Sequence, residues 1–164
     1  MGSGLAPRRL RAQGAAAPPS ERILLAFIGV AGRGSALMND FKRLPETVIT
    51  DVCDVYRPHA EAARELAGGR AEVYSDFRKL LEKTKADAVV IATPPHWHPL
   101  ISIAAMEAGK DVYCEKPMCL RPDEGVAMVR TMQRTGRVTQ LGTQIHAGEN
   151  FRRVVEIVRS GLLG

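Results

Sequence analysis

Hydrophobic residues in the first third of this chain alternate between continuous runs and a helical spacing. The run Ile23 to Val30 predicts a buried strand, and Val48 to Val52 predicts a second one. Between them, Leu37, Phe41 and Leu44 lie at positions i, i+4 and i+7, which predicts an amphipathic helix. The segment is therefore predicted to form a strand, a helix and a strand.

The same alternation continues to residue 141. Further strands are predicted at residues 71–74, 86–92, 110–114 and 137–141. The helices between them are predicted at 76–83 with Ser75 as the cap, from Pro99 to a Gly109 C′ position, and at 122–134. The predicted inward-facing side chains are Phe77, Leu80 and Leu81 in the first of these helices and Val126, Val129 and Met132 in the last.

Strands that alternate with helices in this way predict an α/β fold. The predicted architecture is a doubly wound parallel sheet with right-handed crossovers and helices on both faces. Ligands of such sheets bind outside the carboxyl ends of the strands. The candidate functional segments are therefore residues 29–34, Asp54, residues 93–98 and residues 115–117.

A glycine-rich turn follows the first predicted strand. Against the pattern G-x-G-x-x-G it presents Gly29, Ala31 and Gly34, with Gly32 and Arg33 inside the turn. Small residues let the backbone approach a dinucleotide pyrophosphate, and the amide groups of the next helix attract its negative charge. The predicted role is cofactor binding in a Rossmann fold, and the alternative is a turn that only joins a strand to a helix.

An acidic residue marks the end of the second predicted strand. Asp54 follows Gly34 by twenty positions, where a carboxylate can accept hydrogen bonds from the adenosine ribose of NAD. Arg57 could instead neutralise the 2′-phosphate of NADP, or be a solvated arginine at the start of the helix that Pro58 opens. Because a carboxylate repels a phosphate, NAD is the predicted cofactor and NADP the alternative.

Composition and charge narrow the classes of function. The chain has 164 residues, of which 45% are hydrophobic, enough for one core of ordinary size. Its net charge of +5 includes three arginines of the N-terminal tail, Arg8, Arg9 and Arg11, which leaves +2 for the remainder. No basic stripe with interleaved aromatic residues is present, so nucleic acid is not a predicted partner. The longest apolar run is too short to span a bilayer, which predicts a soluble protein without a membrane partner.

The first twenty residues are rich in Ala, Gly, Pro and Arg and show no hydrophobic periodicity. Residues 1–20 are predicted to be a disordered tail, 21–145 a dinucleotide-binding domain, and 146–164 a helix that leads toward a missing second domain. Arg8 and Arg9 resemble a twin-arginine export signal, but no apolar segment of sufficient length follows them. The predicted location is therefore cytoplasmic.

The three cysteines predict neither a disulfide framework nor a metal site. Cys53, Cys114 and Cys119 lie at or near predicted strand ends, as is typical of reduced core thiols. A zinc site that combines Cys114 and Cys119 with His96 and His98 lacks a standard ligand spacing. No bound metal is predicted.

Two further segments carry candidate chemistry. Thr93-Pro-Pro-His-Trp-His98 combines a rigid backbone with three large polar or aromatic side chains, and a loop whose histidines only cap a helix or contact solvent is the alternative. Glu115-Lys116-Pro117 places an ammonium group where it can approach a nicotinamide and a substrate hydroxyl. The alternative for this segment is a surface ion pair between Glu115 and Lys116.

Five segments then occur in one order and spacing: GVAGRG, DVCDVY, ATPPHWHPL, AGKDVYCEKPM and QLGTQ. Together they resemble the N-terminal domain of the Gfo/Idh/MocA oxidoreductases. The resemblance covers residues 22–164, and GKDVYCEKP is its most specific part. It implies an NAD(P)-binding Rossmann domain.

The resemblance also implies roles for single residues. Lys116 and His98 are the implied catalytic residues. From motif and resemblance together, the predicted cofactor-binding residues are Gly29, Ala31, Gly32, Arg33, Gly34, Asp54, Arg57, Thr93, Pro94, His98, Glu115, Lys116 and Gln144. Two positions depart from the family: Pro95 stands where Asp or Asn is common, and His146 where an arginine is usual. The departure at Pro95 affects the local hydrogen bonding that the resemblance implies, and the departure at His146 affects the implied contact with the nicotinamide region.

The implied activity is hydride transfer between NAD(P) and a hydroxyl-bearing carbon of a sugar or cyclitol. One alternative within the family is a glycosidase that oxidises its sugar transiently on tightly held NAD, and another is a dinucleotide-binding module without chemistry. Family members continue after the segment Ser160 to Gly164 into a substrate domain and can form homo-oligomers. The chain is therefore expected to be a fragment that binds cofactor and has little activity by itself.

Residues 1–20 are expected to be removable without loss of fold or cofactor affinity, because their composition cannot bury enough apolar surface to offset chain entropy. Limited proteolysis should cleave this tail before any other part of the chain, and the trimmed protein should bind NADH as the whole chain does. A tail that resists the protease, or a trimmed protein with weaker NADH binding, would contradict the prediction.

Overall fold

Six parallel strands form the centre of the molecule. In the computed structural model, which describes residues 21–144 and 148–162, the strands are Ile23–Ile28 (β1), Thr47–Cys53 (β2), Glu72–Tyr74 (β3), Ala88–Ile91 (β4), Asp111–Glu115 (β5) and Thr139–Gly142 (β6). Every neighbouring pair is parallel, and the strand order is β3-β2-β1-β4-β5-β6. The predicted doubly wound parallel sheet is confirmed. Its order reverses direction between β1 and β4, where a dinucleotide crevice forms in such sheets.

Helices connect the strands and cover both faces of the sheet. They are Arg33–Lys42 (α1), Arg57–Leu66 (α2), Phe77–Lys83 (α3), His98–Glu107 (α4), Pro122–Thr135 (α5) and Glu149–Arg159 (α6), with a short 3₁₀ helix at Pro95–Trp97. None of the helices in the described part of the chain is long and apolar enough to cross a bilayer.

Alternate side chains of β1 enter two separate cores. Leu25 and Phe27 pack with residues of α1 and α2 on one face. Ala26 and Ile28 pack with residues of α3 and α4 on the other. All four are at most 3% exposed, which explains why β1 is a continuous apolar run and shows no alternation with polar residues.

Two helix boundaries differ from the sequence prediction. Ser75 was predicted to cap α3, but the cap is Asp76, whose carboxylate accepts a 2.9 Å hydrogen bond from the amide of Arg78. The carboxylate takes the capping position because Asp76 has the extended backbone that a cap requires. Leu44 was predicted to continue the apolar stripe of α1, but this helix ends at Lys42 and Leu44 is 47% exposed.

The inward face of α5 was also predicted incorrectly. Val126 and Val129 are 49% and 42% exposed, whereas Met132 is partly buried as expected. The residues of α5 that are buried are Gly125, Met128 and Thr131. A Cβ on Gly125 would lie 2.9 Å from the methyl carbon of Met118. The buried face of this helix is therefore the one that carries Gly125 and Met128, and at Gly125 it lies against the side chain of Met118.

The predicted domain limits stay predictions, and some of them fall outside the described residues. Residues 1–20 and His146 are outside that range, so no structure is assigned to them. The predicted final helix corresponds to α6, which has no buried residue. Its apolar side chains, including Phe151 at 48% and Val158 at 58% exposure, lie on the surface.

Two glycines allow α1 to lie directly against β1. A Cβ on Gly34 would lie 2.0 Å from the carbonyl oxygen of Gly29, closer than any real contact. Gly29 itself has φ of +79°, and a Cβ there would lie 2.7 Å from the backbone of Ala92 and Thr93. Glycine is therefore required at both positions, for close approach at Gly34 and for a left-handed backbone at Gly29.

Gly34→Ala is expected to lower the free energy of unfolding by about 3 kcal/mol, because the new methyl group must push α1 away from β1. Gly136→Ala is the matched control, since Gly136 has the left-handed φ of +65° and ψ of +18° and open space where a Cβ would lie; it should cost only about 1 kcal/mol of backbone strain. Urea unfolding of both variants measures the difference. Equal losses in the two variants would contradict the steric explanation.

Candidate functional site

The amino end of α1 presents amide groups at the carboxyl edge of the sheet. Its cap is Gly32, which has no side chain to accept hydrogen bonds from the first turn, and that turn contains no acidic residue. The first amides of a helix have no intrahelical acceptor, and together with the helix dipole they attract an anion. Gly29 and Gly34 let this turn lie against the neighbouring backbone, and Gly32 has open space beside it. The role of the three glycines in pyrophosphate binding stays a prediction.

Asp54 lies beside this turn, immediately after β2. Its Oδ2 accepts a 3.1 Å hydrogen bond from the amide of Val30, and its Oδ1 accepts a 3.0 Å bond from the amide of Tyr56. The Asp54 side chain is 12% exposed and lies 3.8 Å from Nδ1 of His59. The carboxylate is therefore fixed in direction, and each oxygen has further lone pairs for ribose hydroxyls.

Arg57 is held by its own helix. Its guanidinium is 3.4 Å from the carboxylate of Glu61, one turn further along α2, and its side chain is 83% exposed. This geometry is that of a solvated helix-surface pair. It gives no support to a phosphate-binding role for Arg57.

A cleft of about 320 Å³ opens between the carboxyl ends of β1, β2, β3 and β4. Gly29, Asp54, Thr93 and Pro94 line it, together with Trp97 from the candidate segment 93–98. Sequence reasoning missed Val55, which follows β2, and the residues on the β3 side, namely Ser75, Asp76, Phe77 and Arg78. Ser75 and Asp76 directly follow a strand, and this position at a carboxyl end indicates a ligand-binding segment as well as the start of a helix.

Aromatic and charged groups meet in that part of the cleft. The guanidinium carbon of Arg78 lies 4.4 Å from the ring centroid of Phe77, and the rings of Phe77 and Trp97 meet edge to face at 6.2 Å. A hydrogen bond from the amide of Arg78 lowers the pKa of Asp76, which keeps that carboxylate charged. This arrangement offers a flat group both stacking surfaces and a fixed negative charge.

His98 links two loops from inside the protein. Its Nδ1 lies 2.7 Å from the carbonyl oxygen of Pro117, and its Nε2 lies 2.8 Å from the carbonyl oxygen of Thr93. The His98 side chain is only 1% exposed. Both ring nitrogens face backbone carbonyls, so this geometry favours a role in positioning the two loops over the catalytic role predicted from the sequence. His98 also opens α4, one residue before the predicted start at Pro99.

Thr93 contributes a polar atom without a partner. Its Oγ1 is buried and makes no hydrogen bond to any described residue. Thr93 also lines the cleft and supplies the carbonyl that faces His98. A buried hydroxyl normally has a hydrogen-bond partner. This atom therefore fits a site that is completed by a bound molecule.

Glu115, the last residue of β5, is the centre of a buried polar cluster. Its Oε1 accepts hydrogen bonds from Nε of Arg33 at 2.8 Å and from the amide nitrogen of Gln144 at 2.5 Å. Its Oε2 accepts a 3.2 Å bond from the amide of Lys116. Burial alone would raise the pKa of the Glu115 carboxyl, but the hydrogen bonds from Arg33 and Gln144 outweigh it and lower the pKa. The Glu115 carboxylate is thus ionised and paired with Arg33 at neutral pH.

Lys116 differs from Glu115 in its exposure and in its contacts. It is exposed, and its peptide bond to Pro117 is cis. Within residues 21–144 and 148–162, its ammonium makes no hydrogen bond or ion pair. The alternative of a Glu115–Lys116 surface pair is therefore wrong, because the carboxylate of Glu115 is buried on Arg33 and the ammonium of Lys116 is left for other partners.

The thiols lie inside the fold. Burial raises the pKa of Cys53 to about 12 and that of Cys114 to about 11, so both are protonated at neutral pH. All three cysteines of the described residues have free thiols. In that part of the chain no three His, Cys, Asp or Glu side chains are grouped as metal ligands.

These observations fit a bound dinucleotide. The first turn of α1 has no side-chain cap and no acidic residue, Asp54 is directed by two backbone amides, and Thr93 Oγ1 has no partner among the described residues. All three features lie at the carboxyl ends of strands around the point where the strand order reverses.

Comparison with known proteins also indicates an NAD-binding domain. The model of the Gfo/Idh/MocA family, described as an oxidoreductase family with an NAD-binding Rossmann fold, matches residues 23–143. An alpha-N-acetylgalactosaminidase from Shewanella oneidensis is 30% identical over 159 residues, which cover 92% of this chain and 35% of that protein. The chain thus spans about a third of the length of this relative.

Solved structures of relatives share the fold. The WlbA dehydrogenase from Chromobacterium violaceum, in complex with NADH and UDP-GlcNAcA, has 29% identity and a TM-score of 0.70 over 79% of this chain and 37% of its own. The corresponding enzyme from Bordetella pertussis, with the same ligands, has 25% identity and a TM-score of 0.79 over 85% and 43%. The chain belongs to the Gfo/Idh/MocA oxidoreductase family and carries its NAD-binding Rossmann domain.

Proposed function

We propose that this domain holds NAD for hydride transfer to or from a hydroxyl-bearing carbon of a sugar or cyclitol. The observation that carries the proposal is the exposed ammonium of Lys116, unpaired among the described residues, at the carboxyl end of β5 and beside the half of the crevice opposite Asp54. Two relatives of known structure are described in complex with NADH and a sugar nucleotide, which supports a sugar as the substrate class. When bound, NAD supplies the hydride acceptor or donor at its nicotinamide ring.

Asp54 and α1 would hold the cofactor at its adenosine and pyrophosphate end. The Asp54 carboxylate accepts hydrogen bonds from ribose hydroxyls, and the first-turn amides of α1 donate to the pyrophosphate. Arg57 is turned toward Glu61 and is not assigned to a 2′-phosphate. The acidic group at Asp54 therefore favours NAD over NADP.

Lys116 would act on the substrate. Its ammonium Nζ donates a hydrogen bond to the substrate hydroxyl oxygen and stabilises the negative charge that develops when that hydroxyl loses its proton. His98 does not take this proton in the proposal, because its two nitrogens face the carbonyls of Thr93 and Pro117. It fixes the two loops that place Thr93 and Lys116 on the same crevice.

A second candidate is glycoside hydrolysis with no net change in NAD. It is supported by the 30% identity to a protein named alpha-N-acetylgalactosaminidase over 92% of this chain. The two candidate reactions differ in the product that accumulates. A dehydrogenase produces NADH in proportion to the oxidised sugar. A hydrolase releases the leaving group of a glycoside, and the absorbance of NADH stays constant.

Asp54→Ala is expected to weaken NADH binding by about 1 to 3 kcal/mol, since a charge-assisted hydrogen bond to the ribose is lost. Fluorescence titration with NADH measures the change, and Asp40→Ala is the control because Asp40 forms an exposed pair with Arg43 on α1. An affinity equal to that of the wild type would refute the ribose assignment. Tighter binding of NADPH than of NADH by the wild type would show that the cofactor preference is wrong.

Lys116→Met is expected to reduce kcat by about 100- to 1000-fold and to change NADH affinity little, because the ammonium stabilises charge that develops only during the reaction. The assay uses the protein joined to the region that follows this domain in its longer relatives. Lys85→Met is the control, since Lys85 is exposed and precedes β4, at the amino ends of the strands and away from the crevice. Turnover near the wild-type value in Lys116→Met would exclude a catalytic role.

A further inference from the structure

The ion pair between the exposed Arg33 and the buried Glu115 joins two parts of the site that are 82 residues apart in the sequence. Arg33 is the first residue of α1, and Glu115 is the last residue of β5. The hydrogen bond from Arg33 to Glu115 is the largest cause that raises the pKa of Arg33. In this pair the two opposite charges offset each other.

Gly142 makes room for this cluster. A Cβ at Gly142 would lie 2.6 Å from the hydroxyl of Tyr113 and 3.1 Å from Oε1 of Glu115. Gln144, two residues later, donates its amide to the same oxygen. Residues from α1, β5 and the end of β6 thus converge on one carboxylate.

The cluster lies on the half of the crevice that does not bind adenosine. Asp54 marks the β2 side of the reversal point, and β5 lies two strands away on the other side of β1. A dinucleotide that lies across this point, with its ribose on Asp54 and its pyrophosphate on α1, extends its second half toward β4 and β5. The Arg33–Glu115 pair is therefore beside the path of the nicotinamide.

Oxidised and reduced nicotinamide differ by one positive charge, so nearby charges change their affinities by different amounts. A carboxylate favours the positively charged oxidised ring, and a guanidinium disfavours it. Glu115 has a side chain that is 5% exposed, whereas that of Arg33 is 41% exposed. Since solvent screens exposed charges more strongly, the carboxylate should have the larger influence.

We propose that the Arg33–Glu115 pair sets the relative affinity of this domain for NAD⁺ and NADH. The inference rests on the proposed binding of NAD across the crevice. The pair works by charge: Glu115 favours the oxidised cofactor, Arg33 offsets part of that preference, and Gln144 keeps the carboxylate in place. The residues position and tune the cofactor and take no part in proton or hydride transfer.

The test is the ratio of the dissociation constants for NAD⁺ and NADH, measured by titration at pH 8. Glu115→Gln should raise this ratio about tenfold, because the group that favours NAD⁺ has lost its charge. Arg33→Gln should lower the ratio about threefold, and the double variant should return it toward the wild-type value. Arg33→Lys keeps the charge and should keep the ratio. Arg134→Gln is the control, since Arg134 pairs with Glu107 on the surface of α5 and α4.

Opposite shifts in the two single variants distinguish a charge effect from a structural one. If both variants weaken NAD⁺ and NADH by the same factor, or shift the ratio in the same direction, the proposal is overturned. Should Glu115→Gln fail to fold, the comparison of Arg33→Gln with Arg33→Lys decides the matter, and equal ratios in these two overturn it. A wild-type chain that binds neither cofactor would overturn the proposed function, whereas normal binding with unchanged ratios would overturn only this inference.

Discussion

The contact between Gly34 and the carbonyl of Gly29 is the constraint on which the site depends. It brings α1 against β1 at a distance that no side chain would permit. As a result, the amide of Val30 lies within reach of the Asp54 carboxylate, and the side chain of Arg33 extends to the end of β5. The glycine turn, the position of Asp54 beside it and the Arg33–Glu115 ion pair are thus consequences of one close approach between a helix and a strand.

Much of the fold could be predicted from the sequence because its signals are local. The strands are apolar runs since both faces of a parallel sheet are covered, and the order of strands and helices then restricts the topology to a few possibilities. Asp54 was identified by its distance from the glycine turn, and the structure places it beside that turn. In these cases neighbouring residues determine the result, and a pattern of apolar spacing is sufficient.

The parts that could not be predicted depend on distances between remote segments. The residues around Glu115 do not indicate that its partner is Arg33. The two meet because the fold brings the end of β5 close to the start of α1. The burial of His98 between Thr93 and Pro117 is of the same kind. In α5, Val126 is more hydrophobic than Gly125, yet Gly125 is buried, on the side of the helix where the side chain of Met118 lies. Hydrophobicity indicates that a helix has a buried face, whereas the segments that pack against the helix decide which face it is.

Two cationic residues at the carboxyl edge of the sheet, Arg33 and Lys116, differ in whether they are paired with a carboxylate. Arg33 lies next to the glycine turn, but its charge is offset by Glu115, so in the proposed complex the pyrophosphate would be attracted mainly by backbone amides and the helix dipole. Lys116 follows Glu115 directly in the chain but makes no ion pair with it, because the carboxylate of Glu115 is paired with Arg33. The Arg33–Glu115 pair therefore leaves the ammonium of Lys116 accessible for the proposed chemistry.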